Sequence, residues 1–224
     1  MKIKDNNFTM IELLIVIAII VILTGMLLPA LQRAKKKTEE LVCKKNLGTW
    51  GQVVVLYSSD FNGFIPATLT GAPIYTFAGA LSEGGYFTRG NSTANLNYLY
   101  AGKILCPTGC RLQRTFTLGR YDPYMYGKNN NTGGVYAYIQ LSALKNPSAT
   151  CLLADSVNSV SGQSSGDYYF GCILQRPTGN QYYGEPDFRH VGICNVLYYD
   201  FHVSGKTVNS IPYDNYDIFW GYGN

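Results

Sequence analysis

Residues 8–31 read FTMIELLIVIAIIVILTGMLLPAL, and their only charged side chain is Glu12. As an α-helix this stretch would be roughly 36 Å long, which covers a bilayer hydrocarbon core of about 30 Å. A helix that is apolar on every face suits a membrane or the core of a larger protein. The stretch therefore predicts a helix that spans a membrane, and the alternative of a buried core helix suits a larger protein than this one.

A secretory signal peptide and a plain membrane anchor are the alternatives for this stretch. Lys2 and Lys4 would form the basic start of a signal peptide. However, neither an A-x-A cleavage site nor a lipobox cysteine follows the apolar run. Glu12 argues for a function beyond simple anchoring, because a carboxylate inside a membrane-spanning segment costs free energy and requires a positively charged partner.

The helical pattern continues beyond the apolar stretch. Apolar side chains recur at a spacing near 3.6 after residue 31, and Glu40 and Lys44 form an i,i+4 pair in the favourable order. The turn-forming sequence DFNG follows at 60–63. We expect one helix over residues 8–58, with 8–31 as its transmembrane or filament-core part.

The net charge of +4 belongs to the N-terminal part of the chain. Residues 1–58 hold eight Lys or Arg and four acidic residues, whereas residues 59–224 hold ten of each. A neutral body lacks the electrostatic footprint of nucleic-acid binding. We therefore expect no nucleic-acid partner.

Residues 59–224 are rich in Gly, Asn, Ser and Tyr and predict a β-rich globular body. The candidate strands are 134–141, 149–156, 168–174, 195–200 and 202–208. No segment with the length and periodicity of a helix is evident after residue 100. The expected fold class is α+β, with one long N-terminal helix packed on a small antiparallel sheet.

The segment NFTMIELLIVIAII (7–20) resembles the cleavage and methylation segment of type IV pilins and type II secretion pseudopilins. The resemblance implies that residues 1–7 are a leader, which a prepilin peptidase removes between Asn7 and Phe8 before it methylates the Phe8 amine. Asn7 departs from the Gly that usually precedes the cut. Glu12 matches the glutamate that these families carry four residues after the new N-terminus.

Pro29 falls where many pilin helices carry a proline, and it has two interpretations. Proline removes a backbone hydrogen bond, so Pro29 is either an ordinary transmembrane kink or part of a stretch that extends when subunits pack into a filament. With Glu12 it forms the predicted assembly set.

The predicted location is the cytoplasmic membrane, with the N-terminus in the cytoplasm and the body outside it. Lys35, Lys36 and Lys37 follow the span, so a simple positive-inside count favours the opposite orientation. Long domains, however, translocate largely regardless of charge. A cysteine-bearing body fits an exported domain, which would later stand in a periplasmic or cell-surface filament.

A second resemblance lies in the C-terminal half. The sequences NPSATCLLADS (146–156) and FRHVGICNVLYYDFHVSGK (188–206) resemble pilin-like proteins of the Planctomycetes and Lentisphaerae group, whose hallmark is His, nine residues, then Asp-Gly. His190 and Asp200 keep that spacing, but Phe201 replaces the Gly. A two-residue hairpin turn requires positive φ, so we expect a longer turn or one of another type here.

The six cysteines of an exported domain predict up to three disulfides, with 15 possible pairings. Cys43 paired with Cys106 would join the helix to the body, and Cys172 and Cys194 lie on or beside candidate strands. Cys106 and Cys110 have the spacing of half a zinc site, but no matching second half exists, so we expect no zinc there. The disulfide candidates are Cys43, Cys106, Cys110, Cys151, Cys172 and Cys194.

His190, Asp200 and His202 are the one set of residues with ligand-like or catalytic character. We interpret them as a structural polar cluster that holds a hairpin to the preceding loop. Asp214, Asn215 and Asp217 are weak calcium candidates, since they offer oxygen ligands but lack EF-hand spacing. We expect no cofactor.

The resulting prediction is a structural subunit that is not an enzyme. It would be processed by prepilin peptidase and assemble through its N-terminal helix, with itself and with other pilins or pseudopilins, into a type IV pilus-like or type II secretion filament. The alternative is a membrane-anchored glycan-binding or adhesive module, for which the many tyrosines of the body would provide stacking surfaces.

Overall fold

A single helix begins at Met10 and runs to Asp60 in the computed structural model of the chain. The structure describes residues 9–67, 77, 80–81, 84–86, 106–108, 126–129, 138–158, 173–174, 184–212 and 217–221. The helix, α1, confirms the element expected over 8–58. The chain divides into two compact units, Met1–Thr38 and Glu39–Asn224, and the boundary falls within α1.

In the first unit, every described side chain of α1 is exposed. In the second unit, one stripe of α1 is buried, including Cys43, Leu47, Trp50 and Val54. These positions are three or four residues apart, which is the spacing that a helix needs to cover a sheet with one face. Thus α1 is exposed on all sides in the first unit, whereas in the second unit it is amphipathic and one of its faces is packed.

The helix ends two residues later than expected, because Ser59 and Asp60 complete the last turn. Asn62 and Gly63 then adopt positive φ values of 51° and 81°. The amide of Gly63 donates a hydrogen bond to the carbonyl of Ser58 at 2.7 Å, which satisfies a free carbonyl of the helix end. The chain enters its first strand directly afterwards.

The described strands form a two-stranded sheet and a six-stranded sheet. Their bounds are β1 Phe64–Ile65, β2 Tyr126–Asn129, β3 Ile139–Gln140, β4 Cys151–Asn158, β5 Ile173–Leu174, β6 Gly184–Pro186, β7 Ile193–Tyr198 and β8 Val203–Thr207. The strand β1 pairs with β3, and the larger sheet has the order β2-β5-β6-β4-β7-β8. The strand β5 pairs in parallel with β2 and β6, and the other described pairings are antiparallel.

The fold class is α+β, as predicted. Five of the eight described strands overlap the predicted ones, whereas β1, β2 and β6 were not predicted. The central pair is β4 and β7, whose register shifts between Cys151 and Leu153.

Both faces of the central strands are covered. On one face Leu152, Leu153 and Leu197 pack with the buried stripe of α1. On the other face Cys151, Ala154, Cys194 and Val196 pack with Phe219 and Trp220 near the C-terminal end. Helix and sheet approach closely at Gly51, where an added Cβ would lie 3.2 Å from a methyl carbon of Leu197.

Candidate functional site

The exposed half of α1 is the first candidate. This part of the helix is long and apolar enough to span a membrane, and a signal segment would have the same character. All of its large apolar side chains from Met10 to Leu31 are exposed. Such a surface requires lipid or other apolar helices around it, since water would leave it unfavourably hydrated.

The carboxylate of Glu12 caps the start of its own helix. Its Oε2 atom accepts hydrogen bonds from the backbone N–H and the hydroxyl of Thr9, both at 2.8 Å. In return, the amide of Glu12 donates to the Thr9 hydroxyl at 3.3 Å. This reciprocal arrangement is a capping box, and the sequence TMIE (9–12) carries its Thr-x-x-Glu signature. The sequence analysis missed this role.

The other predicted processing and assembly residues are only partly described. Asn7 and Phe8 lie outside the described residues. Pro29 lies inside α1, and the helix is continuous on both sides of it.

The second candidate is a buried cluster of Cys43, Cys106, Asp155 and His190. One ligand-type atom from each residue lies within 4.8 Å of those of the other three. The Sγ atoms of Cys43 and Cys106 are 2.7 Å apart. The Nε2 atom of His190 lies 3.4 Å from the Sγ atom of Cys106 and 3.5 Å from the Oδ2 atom of Asp155. All four side chains are at most 2% exposed.

Four separate parts of the chain position this cluster. Cys43 is on the buried stripe of α1, and Asp155 is on β4. Cys106 begins the short described segment 106–108. His190 occupies the first position of a tight turn that leads into β7, where His190 and Ile193 exchange backbone hydrogen bonds of 3.3 and 3.2 Å.

The two central strands fix the carboxylate of Asp155. Its Oδ2 atom accepts a 2.8 Å hydrogen bond from the amide of Asn195 on β7. The Oδ1 atom of Asp155 and the Nδ1 atom of His190 are buried without a hydrogen-bond partner. Buried polar atoms of this kind are rare in proteins and call for an explanation.

Burial raises the pKa of Asp155 to about 7, although the nearby guanidinium of Arg189 lowers it in part. The hydrogen bond with Cys106 raises the pKa of the Cys43 thiol, and burial adds to the increase. For His190, burial lowers the pKa, but the contacts with Cys106 and Asp155 outweigh it, so the net direction is upward. The protonation states of these groups are therefore linked.

Arg189 lies beside the cluster and brings a positive charge to it. Its Nε atom is 2.7 Å from the Oδ2 atom of Asp187, and its Nη2 group donates to the carbonyl of Ser156. It also interacts electrostatically with Asp155 and Cys106. Asp187 and the carbonyl of Ser156 thus hold the guanidinium beside the cluster.

The cysteine predictions have a mixed outcome. Cys43 and Cys106 meet, as expected of the pair that would join helix and body, but they are free thiols. Cys151 and Cys194 are also free and buried, and Cys194 donates a 3.4 Å hydrogen bond to the carbonyl of Asp155. No disulfide forms among these four described cysteines, and Cys110 and Cys172 lie outside the described residues.

The structure divides the predicted His190–Asp200–His202 cluster into two groups. His190 is in the buried cluster. Asp200 and His202 lie at the turn between β7 and β8, where the Nδ1 atom of His202 is 2.6 Å from the Oδ1 atom of Asp200. The ring of His202 also stacks on Tyr198 with a centroid distance of 4.2 Å. This pair is exposed and bridges two positions of the same turn, so it does not hold the hairpin to the preceding loop as the predicted three-residue cluster would.

The turn between β7 and β8 has four residues, 199–202, so it is longer than a two-residue turn, as predicted. Phe201, which replaces the expected Gly, has a φ of 69°. Its side chain is partly buried against the core beneath α1. The backbone therefore keeps a glycine-like conformation while the ring adds packing.

The calcium candidates are described only at Asp217. Its Oδ1 atom accepts a 2.8 Å hydrogen bond from the amide of Phe219 and so caps the short 3₁₀ helix Ile218–Trp220. Asp214 and Asn215 lie outside the described residues. The carboxylate of Asp217 thus has a local structural role.

The long apolar N-terminal helix and the antiparallel sheet beneath its second half define a pilin-like architecture. Comparisons with protein-family models, with characterised proteins and with solved structures give no match.

Asp155 was not among the site residues that the sequence predicts. The four members lie at positions 43, 106, 155 and 190, and no short spacing connects them. The pairing of β4 with β7 and the packing of α1 bring them together. The one available signal was an acidic residue directly after the apolar run Cys151–Ala154 of β4.

Proposed function

We propose that this chain is a structural subunit of a type IV pilus-like or type II secretion filament. The observation that carries the proposal is α1 itself. Its first half is exposed and apolar with one carboxylate near the start, and its second half packs on a sheet. This division suits a subunit whose body folds independently of the partners that later surround the apolar half.

The proposed route begins with membrane insertion, with the body outside the cytoplasm. Prepilin peptidase then removes residues 1–7 and methylates the Phe8 amine. The processed subunit joins copies of itself and other pilins or pseudopilins. The resemblance of residues 7–20 to pilin segments supports this route, and it requires no enzymatic activity of the chain.

Glu12 has a specific part in assembly under this proposal. The capping box gives its carboxylate hydrogen bonds, but both donors are neutral groups of Thr9. Among packed apolar helices, an uncompensated charge costs several kcal/mol. Since no Lys or Arg lies between residues 8 and 31, the positive group at that depth is a Phe8 amine. In the membrane pool it would be the subunit's own amine, one helical turn away, and in the filament it would be that of a neighbouring subunit. Their attraction would also set the axial register between subunits.

The test separates the charge of Glu12 from its capping role. Glu12→Gln keeps a side chain that completes a capping box and removes only the charge. Thr9→Ala removes the two capping hydrogen bonds that involve the Thr9 hydroxyl and keeps the charge of Glu12, so it is the matched control. We expect Glu12→Gln and Glu12→Leu to insert and be cleaved like the parent but to be at least tenfold depleted from the filament fraction. Thr9→Ala should enter filaments.

Filament entry of Glu12→Gln at the parent level would contradict the proposed pairing. Cleavage of each variant is read from the intact mass of the membrane pool. For a variant that is not cleaved, membrane insertion alone is measured, on a chain in which Met directly precedes Thr9. The dependence of assembly on charge is then decided only by Glu12 variants that are cleaved like the parent, each compared with the parent and with Thr9→Ala.

One surface favours the alternative of an anchored adhesive module. Aromatic and polar side chains surround a groove of about 490 Å³ at the end of α1. Tyr57 and Phe61 stack there with a centroid distance of 4.2 Å, and Tyr138 is 52% exposed. Tyr57 is buried, whereas the exposed rings of Phe61 and Tyr138 offer stacking faces to a sugar ring. This alternative predicts polysaccharide binding that Tyr138→Ala weakens and Glu12→Gln leaves unchanged.

A further inference from the structure

We propose that Cys43, Cys106, Asp155 and His190 bind one Zn²⁺ ion in a closed site that joins α1 to the central sheet. The sequence analysis assigned no metal ligand to these residues. The inference rests on the convergence of four metal-ligating side chains, all at most 2% exposed, on one point.

The distances that involve His190 suit a tetrahedral zinc site. Bond lengths of about 2.3 Å to sulfur and about 2.0–2.1 Å to nitrogen or oxygen place neighbouring ligand atoms roughly 3.4–3.6 Å apart. The observed distances from His190 Nε2 are 3.4 Å to Cys106 Sγ and 3.5 Å to Asp155 Oδ2. The two sulfur atoms, now 2.7 Å apart, would separate by about 1 Å on binding.

The donor set selects the class of metal. Two thiolates and one imidazole suit a borderline-soft ion such as Zn²⁺, whereas Ca²⁺ and Mg²⁺ require mainly oxygen ligands. Four protein ligands fill a tetrahedron and leave no position for water. A site of this kind is structural, not catalytic.

A metal ion would also reduce the negative charge of the site. Two thiolates and one carboxylate carry a charge of −3, and one Zn²⁺ ion lowers it to −1. Arg189, which also pairs with Asp187, interacts electrostatically with Asp155 and Cys106. On binding, the thiols release their two protons to solvent as the sulfur–zinc bonds form.

A disulfide between Cys43 and Cys106 is the competing outcome. A disulfide is neutral and needs neither a carboxylate nor an imidazole beside it. A disulfide would not involve the carboxylate of Asp155 or the imidazole of His190, whereas a zinc ion bound to Oδ2 and Nε2 gives these two buried groups a common partner. The ion would also join four separate parts of the chain, whereas a disulfide would join two.

The test uses the full chain, purified in detergent without reductant or chelator. We expect about one zinc per chain by elemental mass spectrometry. Cys43→Ser, Asp155→Asn and His190→Gln should each lower that content at least tenfold. Cys151→Ser is the matched control, since it removes a buried cysteine outside the cluster and should retain the zinc.

Cobalt substitution of the parent protein tests the ligand set independently of how the variants fold. Removal of zinc under reducing, oxygen-free conditions, followed by Co²⁺, should produce thiolate-to-cobalt charge-transfer absorption and intense visible bands of tetrahedral cobalt. Metal-free parent with a Cys43–Cys106 linked peptide in a non-reducing map would overturn the proposal. Full zinc content in folded His190→Gln would overturn the four-ligand assignment.

Discussion

Lys128 provides a quantitative test of the body's packing. Its side chain is only 1% exposed, and its Nζ atom lies 5.7 Å from the ring centroid of Phe77. Burial lowers the pKa of Lys128 from its ordinary 10.5 to about 7. The folded chain therefore binds fewer protons than the unfolded chain between about pH 7 and 10.5. By linkage, the Lys128 contribution makes the protein more stable as the pH rises through that window.

The free-energy cost of burying the Lys128 amine follows from the shift of its pKa. One pKa unit corresponds to about 1.36 kcal/mol, so keeping this amine buried costs about 4 kcal/mol at pH 7 and about 1.5 kcal/mol at pH 9.5. Lys128→Met removes the titrating group and retains an apolar chain of similar length. We expect the variant to be more stable than the parent, with an advantage that shrinks by about 2–3 kcal/mol between these two pH values.

The assay is urea unfolding of the full chain in detergent, followed by the fluorescence of the buried Trp50 and Trp220. The difference between variant and parent at each pH isolates Lys128 from other titrating groups. Lys145→Met, at an exposed position, is the control and should change stability by less than about 0.5 kcal/mol. A difference that stays constant from pH 7 to 9.5, or a parent more stable than Lys128→Met at pH 7, would refute the reasoning.

Three further predictions concern turns and processing. Val191 and Gly192, in the turn before β7, both have positive φ values, 56° and 81°. Because Asn tolerates positive φ better than Val, Val191→Asn should stabilise the protein by about 1 kcal/mol in urea unfolding, whereas the control Val208→Asn should not stabilise it. Phe201→Gly should be about 1 kcal/mol more stable than Phe201→Ala, because both lose the ring but only Gly tolerates the φ of 69°; equal stability would contradict the strain. Intact mass from the native host should show loss of residues 1–7 and gain of one methyl group, and a chain still starting at Met1 beside active peptidase would argue against pilin-type processing.

The helix was predictable because its signals are local. An unbroken apolar run, a 3.6-residue period and a turn sequence after residue 60 suffice to define α1. The capping box at Thr9 and Glu12 was equally local and readable from Thr-x-x-Glu. It was missed because the carboxylate was considered only as a charge that needs a partner.

The buried cluster was not predictable from spacing, because tertiary packing creates it. Asp155 meets His190 only through the pairing of β4 with β7, in which the register shifts near Cys151. The sequence predicted a cluster of His190, Asp200 and His202, because these residues lie close together in the chain. In the structure, the tight turn at Val191 instead places His190 beside Cys106 and Asp155. Strand pairing is a long-range property that local residue patterns do not encode.

The short strands were also not predictable from local sequence patterns. The strands β1, β3 and β5 have two residues each, too few to show an alternating pattern. The strand β2 contains a buried lysine, which a pattern of hydrophobic residues would exclude.

Immunogold electron microscopy most directly tests the central claim that the chain builds filaments. Sheared surface material and the periplasmic fraction of the native host would be labelled with an antibody to residues 138–158 or to the whole body. The account predicts thin filaments labelled repeatedly along their length, and a loss of that labelling in Glu12→Gln cells that contain normal amounts of cleaved protein. Processed protein confined to the membrane fraction, with no labelled filament in either fraction of the parent strain, would contradict it.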